Sequence, residues 1–253
     1  MKYLALTITF VLLTGGLLTG QDHRLLPAPK KIVVGKGKFL LEGAKILVSA
    51  DLLEREHTAI SRFTGFVKEM TGIAMPVAYA EEPGAKVIVL NSDQAGIALP
   101  VPDEKTGPGT RESYQIAVSD GRITVNAKTD AGIFYALQTL EQMVVIDQAN
   151  SFIMEAQIED YPEMAYRGVM IDFSHGGLLT EEEIRNQIDF LSRWKMNQYY
   201  FYNEVSIEMK SYPLISYNAC YSQEQIKRIV SNARKKHIAV FKCKMRDLSK
   251  KQS

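Results

Sequence analysis

The stretch Tyr166-Arg167-Gly168-Val169-Met170-Ile171-Asp172-Phe173-Ser174-His175 constrains the fold of this chain more than any other. It reads as a buried parallel strand, entered at Arg167 and apolar from Gly168 until it ends on the Asp172 carboxylate. A charged residue at the carboxyl end of a buried strand is where an α/β barrel places its chemistry. Two further strand-like segments follow, Met196–Tyr202 and Ile238–Phe241. The order β-α-β-α-β implies parallel strands joined by right-handed crossovers. A closed barrel takes eight strands and roughly 250 residues, whereas only three such strands can be counted up to Ser253. The expectation for residues 161–253 is therefore the first, truncated portion of a barrel.

The intervening helices announce themselves by their caps. Thr180-Glu181-Glu182-Glu183 is a capping box: the Thr180 hydroxyl can take the Glu183 amide, and the Glu183 carboxylate can return to the Thr180 amide. Ile184, Ile188, Leu191 and Trp194 form one apolar stripe behind it. Ser222 and Gln225 make a second box, followed by Ile226, Ile229, Val230 and Ala233. From Lys242 the apolar periodicity is lost, where a third βα loop would begin, as expected of an N-terminal fragment.

The rhythm before Tyr161 is different. Ile46–Ser49 and Val87–Leu90 read as strands. Glu56–Thr71 reads as a helix with Ile60, Phe63, Phe66, Val67 and Met70 on one face at helical spacing, stopped by Gly72. Pro100–Thr110 is a loop. Tyr114–Val118 and Ile123–Asn126 alternate about Asp120-Gly121, a hairpin signal. A second helix is expected over Ala131–Val145, burying Ile133, Phe134, Leu137, Leu140 and Val144. Together these elements predict a compact α+β domain over residues 21–160.

Met1–Gly20 reads as a secretory signal: Lys2 gives the positive start, Leu4–Leu13 the apolar core, and small residues the cleavage positions. Export would allow Cys220 and Cys243 to pair, although two free thiols fit equally. The expected location is secreted or periplasmic, with no membrane contact after signal removal. Net charge is near neutral, but residues 227–253 hold ten Lys/Arg against the single acid Asp247. Without interleaved aromatics this run reads as a solvated helix face and tail, not a nucleic-acid site.

At these residues the chain resembles glycoside hydrolase family 20, the β-N-acetylhexosaminidases. In the first domain the resemblance rests on Leu26-Pro27-Ala28-Pro29, Glu112-Ser113-Tyr114, and the run from Thr129-Asp130-Ala131-Gly132 to Leu140-Glu141-Gln142. In the second it rests on Asp160-Tyr161-Pro162, Tyr166-Arg167-Gly168, Lys195-Met196-Asn197, and Ile207 to Pro213. The resemblance implies a non-catalytic α+β domain (sheet with two helices) against an incomplete (β/α)8 barrel. It implies removal of terminal β-linked N-acetylhexosamine from glycans, without metal or cofactor. The mechanism it implies is substrate-assisted retention, an exception to the two-carboxylate scheme. The sugar's own acetamido oxygen attacks the anomeric carbon, one carboxylate orients that group, and an adjacent glutamic acid protonates the leaving oxygen.

Carried over residue by residue, the resemblance gives five substrate-binding candidates: Arg167, Asp172, His175, Tyr202 and Glu204. Arg167 matches the family arginine that binds sugar hydroxyls, and its fork of donors suits neighbouring oxygens; its other reading is a tie between the two domains. Asp172 either meets sugar or holds loops and arginines. His175 stands where the family usually has arginine. Tyr199–Tyr202 either stack on a sugar face or pack in the core. No catalytic residue is assigned, because the adjacent Asp-Glu pair of the family has no counterpart. Asp103-Glu104 and Glu159-Asp160 both read as solvated charges. The chain is thus expected to be inactive alone. Two alternatives remain: a non-catalytic carbohydrate-binding or interaction protein, and a family-84-like acetamido-assisted hexosaminidase.

Overall fold

The computed structural model describes residues 25–94, 99–147, 150–173, 177–202, 207 and 220–243. The expected signal segment, His175, Glu204 and the end of the basic tail lie outside these residues. In chain order the elements are β1 (Lys31–Leu40), β2 (Lys45–Leu47), α1 (Ala50–Thr71), β3 (Val77–Ala78), β4 (Val87–Gln94), β5 (Tyr114–Ser119), β6 (Arg122–Thr129), α2 (Asp130–Met143), β7 (Val144–Ile146) and β8 (Ser151–Asp160). After the linker come β9 (Gly168–Asp172), α3 (Glu181–Arg193), β10 (Gln198–Tyr202), α4 (Gln223–Arg234) and β11 (Ala239–Cys243).

The eight strands β1–β8 form a mixed sheet in the order β1-β8-β5-β6-β4-β2-β3, with β7 paired to β8. Alternation fixes which face is covered. Tyr114, Ile116 and Val118 of β5 are buried while Gln115 and Ser119 are exposed. The β5–β6 hairpin pairs Ser119 with Arg122 and Val118 with Ile123, with Gly121 at φ 79° in the turn. The buried faces meet α1 and α2, whose Ile60, Phe63, Val67, Ile133, Phe134, Leu137 and Leu140 complete one core. A sheet with one face covered and one solvated is the usual antiparallel arrangement.

Two expectations about these helices are corrected. Helix α1 starts at Ala50, capped by the Ser49 hydroxyl, and kinks at Glu56, where φ/ψ is −108°/23°. The kink hides the first turn from a periodicity search. Met70 is exposed instead of sharing the buried face. Helix α2 stops at Met143, and Val144–Ile146 form a strand on β8. Three consecutive β-branched residues favour that choice.

The second sheet is parallel, in the order β11-β10-β9. Both capping boxes form, at Thr180/Glu183 and Ser222/Gln225. Helices α3 and α4 cover one face through Ile184, Ile188, Leu191 and Ile229 against Tyr199, Phe201 and Phe173. The rings of Phe173 and Phe201 stack at 4.0 Å. Met170 and Phe241 of the opposite face are exposed. Cys220 is a free thiol. Among the described residues no helix is long and apolar enough to cross a membrane.

Candidate functional site

The strands bring two of the five candidates together. Asp172 and Tyr202 are register partners at the carboxyl ends of β9 and β10, and the Phe173 amide donates to the Tyr202 carbonyl at 3.0 Å. Both lie on the sheet face opposite the helices, Asp172 exposed and Tyr202 half-buried. This is the expected strand-end position, reached by two of the proposed side chains.

Arg167 lies elsewhere. It sits at the amino end of β9, and its donors are engaged by protein. Nε donates to the Lys195 carbonyl at 2.8 Å, Nη1 to the Met164 carbonyl at 2.7 Å, and Nη2 to Glu112 at 2.5 Å. These partners match the other reading of Arg167, a tie between the two domains. A guanidinium fork suits this work because three acceptors in different directions can be met at once.

Around Arg167 the two domains share a buried polar seam. Glu112, 2 % exposed, receives Arg167, Arg111 at 2.6 Å, and the Asn197 amide at 2.8 Å. Arg111 also lies 2.8 Å from Glu104. Deeper in, Lys195 Nζ donates to Asp160 Oδ2 at 2.8 Å and to the Tyr114 hydroxyl at 2.6 Å, while that hydroxyl donates to Asp160 at 2.7 Å. Burial pulls the Lys195 pKa down, with Asp160 opposing it, and pushes that of Tyr114 up, where the Asp160 charge adds to the rise. Glu104 and Asp160 are thus ion-paired interior groups, not solvated charges, which corrects the sequence reading. The cost of burying them is offset only because each has a partner.

A second tie joins α1 to the turn before β11. His237 Nε2 lies 2.9 Å from Glu56 Oε1, and both residues are buried. Burial raises the Glu56 pKa, with the His237 hydrogen bond opposing it. Lys195 and His237 occupy equivalent places, each in an αβ turn and each in the left-handed region, at φ 57° and 55°. A non-glycine residue there is uncommon. Both turns hold the strained residue because its side chain reaches into the N-terminal domain. Arg62 of α1 adds a third contact, to Ser192 at 2.8 Å.

The missed residues Glu112, Asp160, Lys195 and Asn197 all stand in the short motifs that carry the family resemblance. Those motifs mark the seam, not the strand-end site. Two of their glycines mark close approach. A Cβ on Gly132 would lie 2.6 Å from the Ser113 carbonyl oxygen, and one on Gly168 2.5 Å from that of Gln198. Among the described residues no group of three or more His, Cys, Asp or Glu could hold a metal ion.

The class these features define is an α+β domain locked onto a parallel βα unit with a carboxylate and a phenol at its strand ends. The model of glycosyl hydrolase family 20, domain 2, matches residues 22–161. A β-hexosaminidase of Porphyromonas gingivalis is 24 % identical over 242 residues, covering 86 % of this chain and 29 % of its own length. The chitobiase of Flavobacterium johnsoniae superposes with a TM-score of 0.73 at 28 % identity, over 86 % of this chain and 34 % of that one. The β-N-acetylhexosaminidase of Bacteroides fragilis gives 0.67 at 25 % identity, over 87 % and 44 %. This chain belongs to glycosyl hydrolase family 20, which sets the family-84 alternative aside. It spans about a third of the length of the first two relatives.

Proposed function

We propose that this chain is the N-terminal domain and the opening βα units of an exported β-N-acetylhexosaminidase, and that it does not hydrolyse glycosides by itself. The observation that carries this reading is the family-20 domain over residues 22–161, followed directly by the parallel β9-α3-β10-α4-β11 run. In this reading the sheet β9–β11 is the first part of a (β/α)8 barrel. Its substrates are glycans ending in β-linked N-acetylglucosamine or N-acetylgalactosamine. Asp172 and Tyr202 stand at the strand ends where a barrel binds substrate. Acetamido-assisted retention needs an acetamido-orienting carboxylate beside a protonated glutamic acid. Neither pair that joins an aspartate to a glutamate, Asp103-Glu104 or Glu159-Asp160, supplies this: Glu104 is tied to Arg111 and Asp160 to Lys195.

The test is a chimera. The part of the Flavobacterium johnsoniae chitobiase that this chain matches is replaced by residues 25–243. A folded chimera that releases chromophore from an aryl β-N-acetylglucosaminide supports the reading. A chimera with native-like circular dichroism and no release at all contradicts it.

A further inference from the structure

The geometry points to a second ligand site, distinct from the strand ends: the cavity at the junction of the two domains binds one neutral sugar ring. The cavity measures about 460 Å³, within the range of about 300–1,000 Å³ found for ligand clefts. It lies at the amino end of β9, at the opposite end of the strands from Asp172 and Tyr202, and is walled by residues of both domains.

Its chemistry is divided. Tyr161, Tyr166 and Trp194 line the walls, whereas Tyr135 brings a hydroxyl beside the Glu112–Arg167 pair, whose own hydrogen bonds are spent within the seam. A pyranose has the same division, with apolar C–H faces that stack on aromatic rings and hydroxyl edges that hydrogen-bond. The charges balance: Lys30, Arg167 and Lys195 against Glu112, Asp160 and Glu163. A lining with three cations and three anions favours a neutral ligand over an ion.

The independent sign of a ligand is Tyr135. It is 1 % exposed, yet among the described residues its hydroxyl has no hydrogen-bond partner. Buried hydroxyls are nearly always paired, so such an exception calls for an explanation. The Arg167 guanidinium sits 5.8 Å from the ring centroid. Burial pushes its pKa up, so it stays neutral. One sugar hydroxyl would satisfy it. The inference needs no hydrolysis, so it stands or falls separately from the proposed function.

The protein has a single tryptophan, Trp194, and it lines this cavity. Its emission is therefore a local reporter. Titrating the purified chain with N-acetylglucosamine should give a saturable change in Trp194 emission, with the same midpoint by calorimetry. Tyr135→Phe should weaken binding about fivefold, the effect of losing one ordinary hydrogen bond, while leaving the circular dichroism unchanged. Trp194→Phe should remove the optical signal and weaken the heat signal. Three results would each overturn the site: no saturable signal by either method, binding unchanged in Tyr135→Phe, or binding of an apolar dye in place of the sugar.

Discussion

Lys195 and Asp160 meet in the interior of the domain junction, Nζ to Oδ2 at 2.8 Å, with the Tyr114 hydroxyl bonded to both. The lysine comes from an αβ turn of the parallel unit and the aspartate from the last residue of the mixed sheet. Replacing one member leaves the other buried and uncompensated. Lys195→Met should therefore cost about 3–5 kcal/mol of unfolding free energy, read as the urea midpoint and slope. A cost below about 1 kcal/mol would mean that the seam does not hold the domains together.

The neighbouring tie separates structure from substrate binding. Arg167→Lys loses the fork that reaches Glu112 and two carbonyls. It should destabilise the chain by about 1–3 kcal/mol and speed proteolysis between Tyr161 and Arg167. If Arg167 instead served a sugar, stability would be unchanged and only ligand affinity would fall.

The Glu56–His237 pair gives a pH test. Burial raises the Glu56 pKa above its ordinary 4.5. Between 4.5 and the raised value the folded state holds the proton that the unfolded state has lost. The Glu56 contribution to stability is thus full below pH 4.5 and falls as pH rises through the raised pKa. Urea midpoints measured from pH 4.5 to 7 should decline in the parent relative to Glu56→Gln, which carries no titrating carboxyl. A relative rise would show that the pair stabilises the ionised carboxylate.

The turn at His237 offers a backbone check. His237→Ala loses the Glu56 contact but keeps the strained left-handed φ, whereas His237→Gly loses the contact and relieves the strain. Glycine should be the milder change by about 1 kcal/mol. Equal costs would indicate that the backbone relaxes once the side chain is gone.

What the sequence revealed, and what it hid, follows from the range of each interaction. Signals carried within a few residues were readable: the Asp120-Gly121 hairpin, the capping boxes at Thr180 and Ser222, and the three parallel strands. Strands β1 and β8 escaped notice because their solvated face carries residues such as Lys31, Glu155 and Glu159, which dilute the apolar pattern. The first turn of α1 was hidden by the kink at Glu56, a residue whose hydrogen-bond partner is a histidine 181 positions away. For the same reason Asp160 and Glu104 looked like solvated charges: their partners Lys195 and Arg111 are recognisable only after folding. Asp172 ends its strand as the sequence suggested, but that register sets Tyr202 beside it, and that Arg167 stands at the other end of the same strand, emerged only with the pairing of β9 and β10.

Purified chain is incubated with a chromogenic β-N-acetylglucosaminide, and chromophore release is followed against a buffer blank. With the strand ends furnished by Asp172 and Tyr202, and with Glu104 and Asp160 of the two Asp/Glu pairs committed to Arg111 and Lys195, no release above the blank is expected. Turnover that follows the protein through purification and disappears in Asp172→Asn or Glu204→Gln would contradict this, and would place the catalytic carboxylates within this chain.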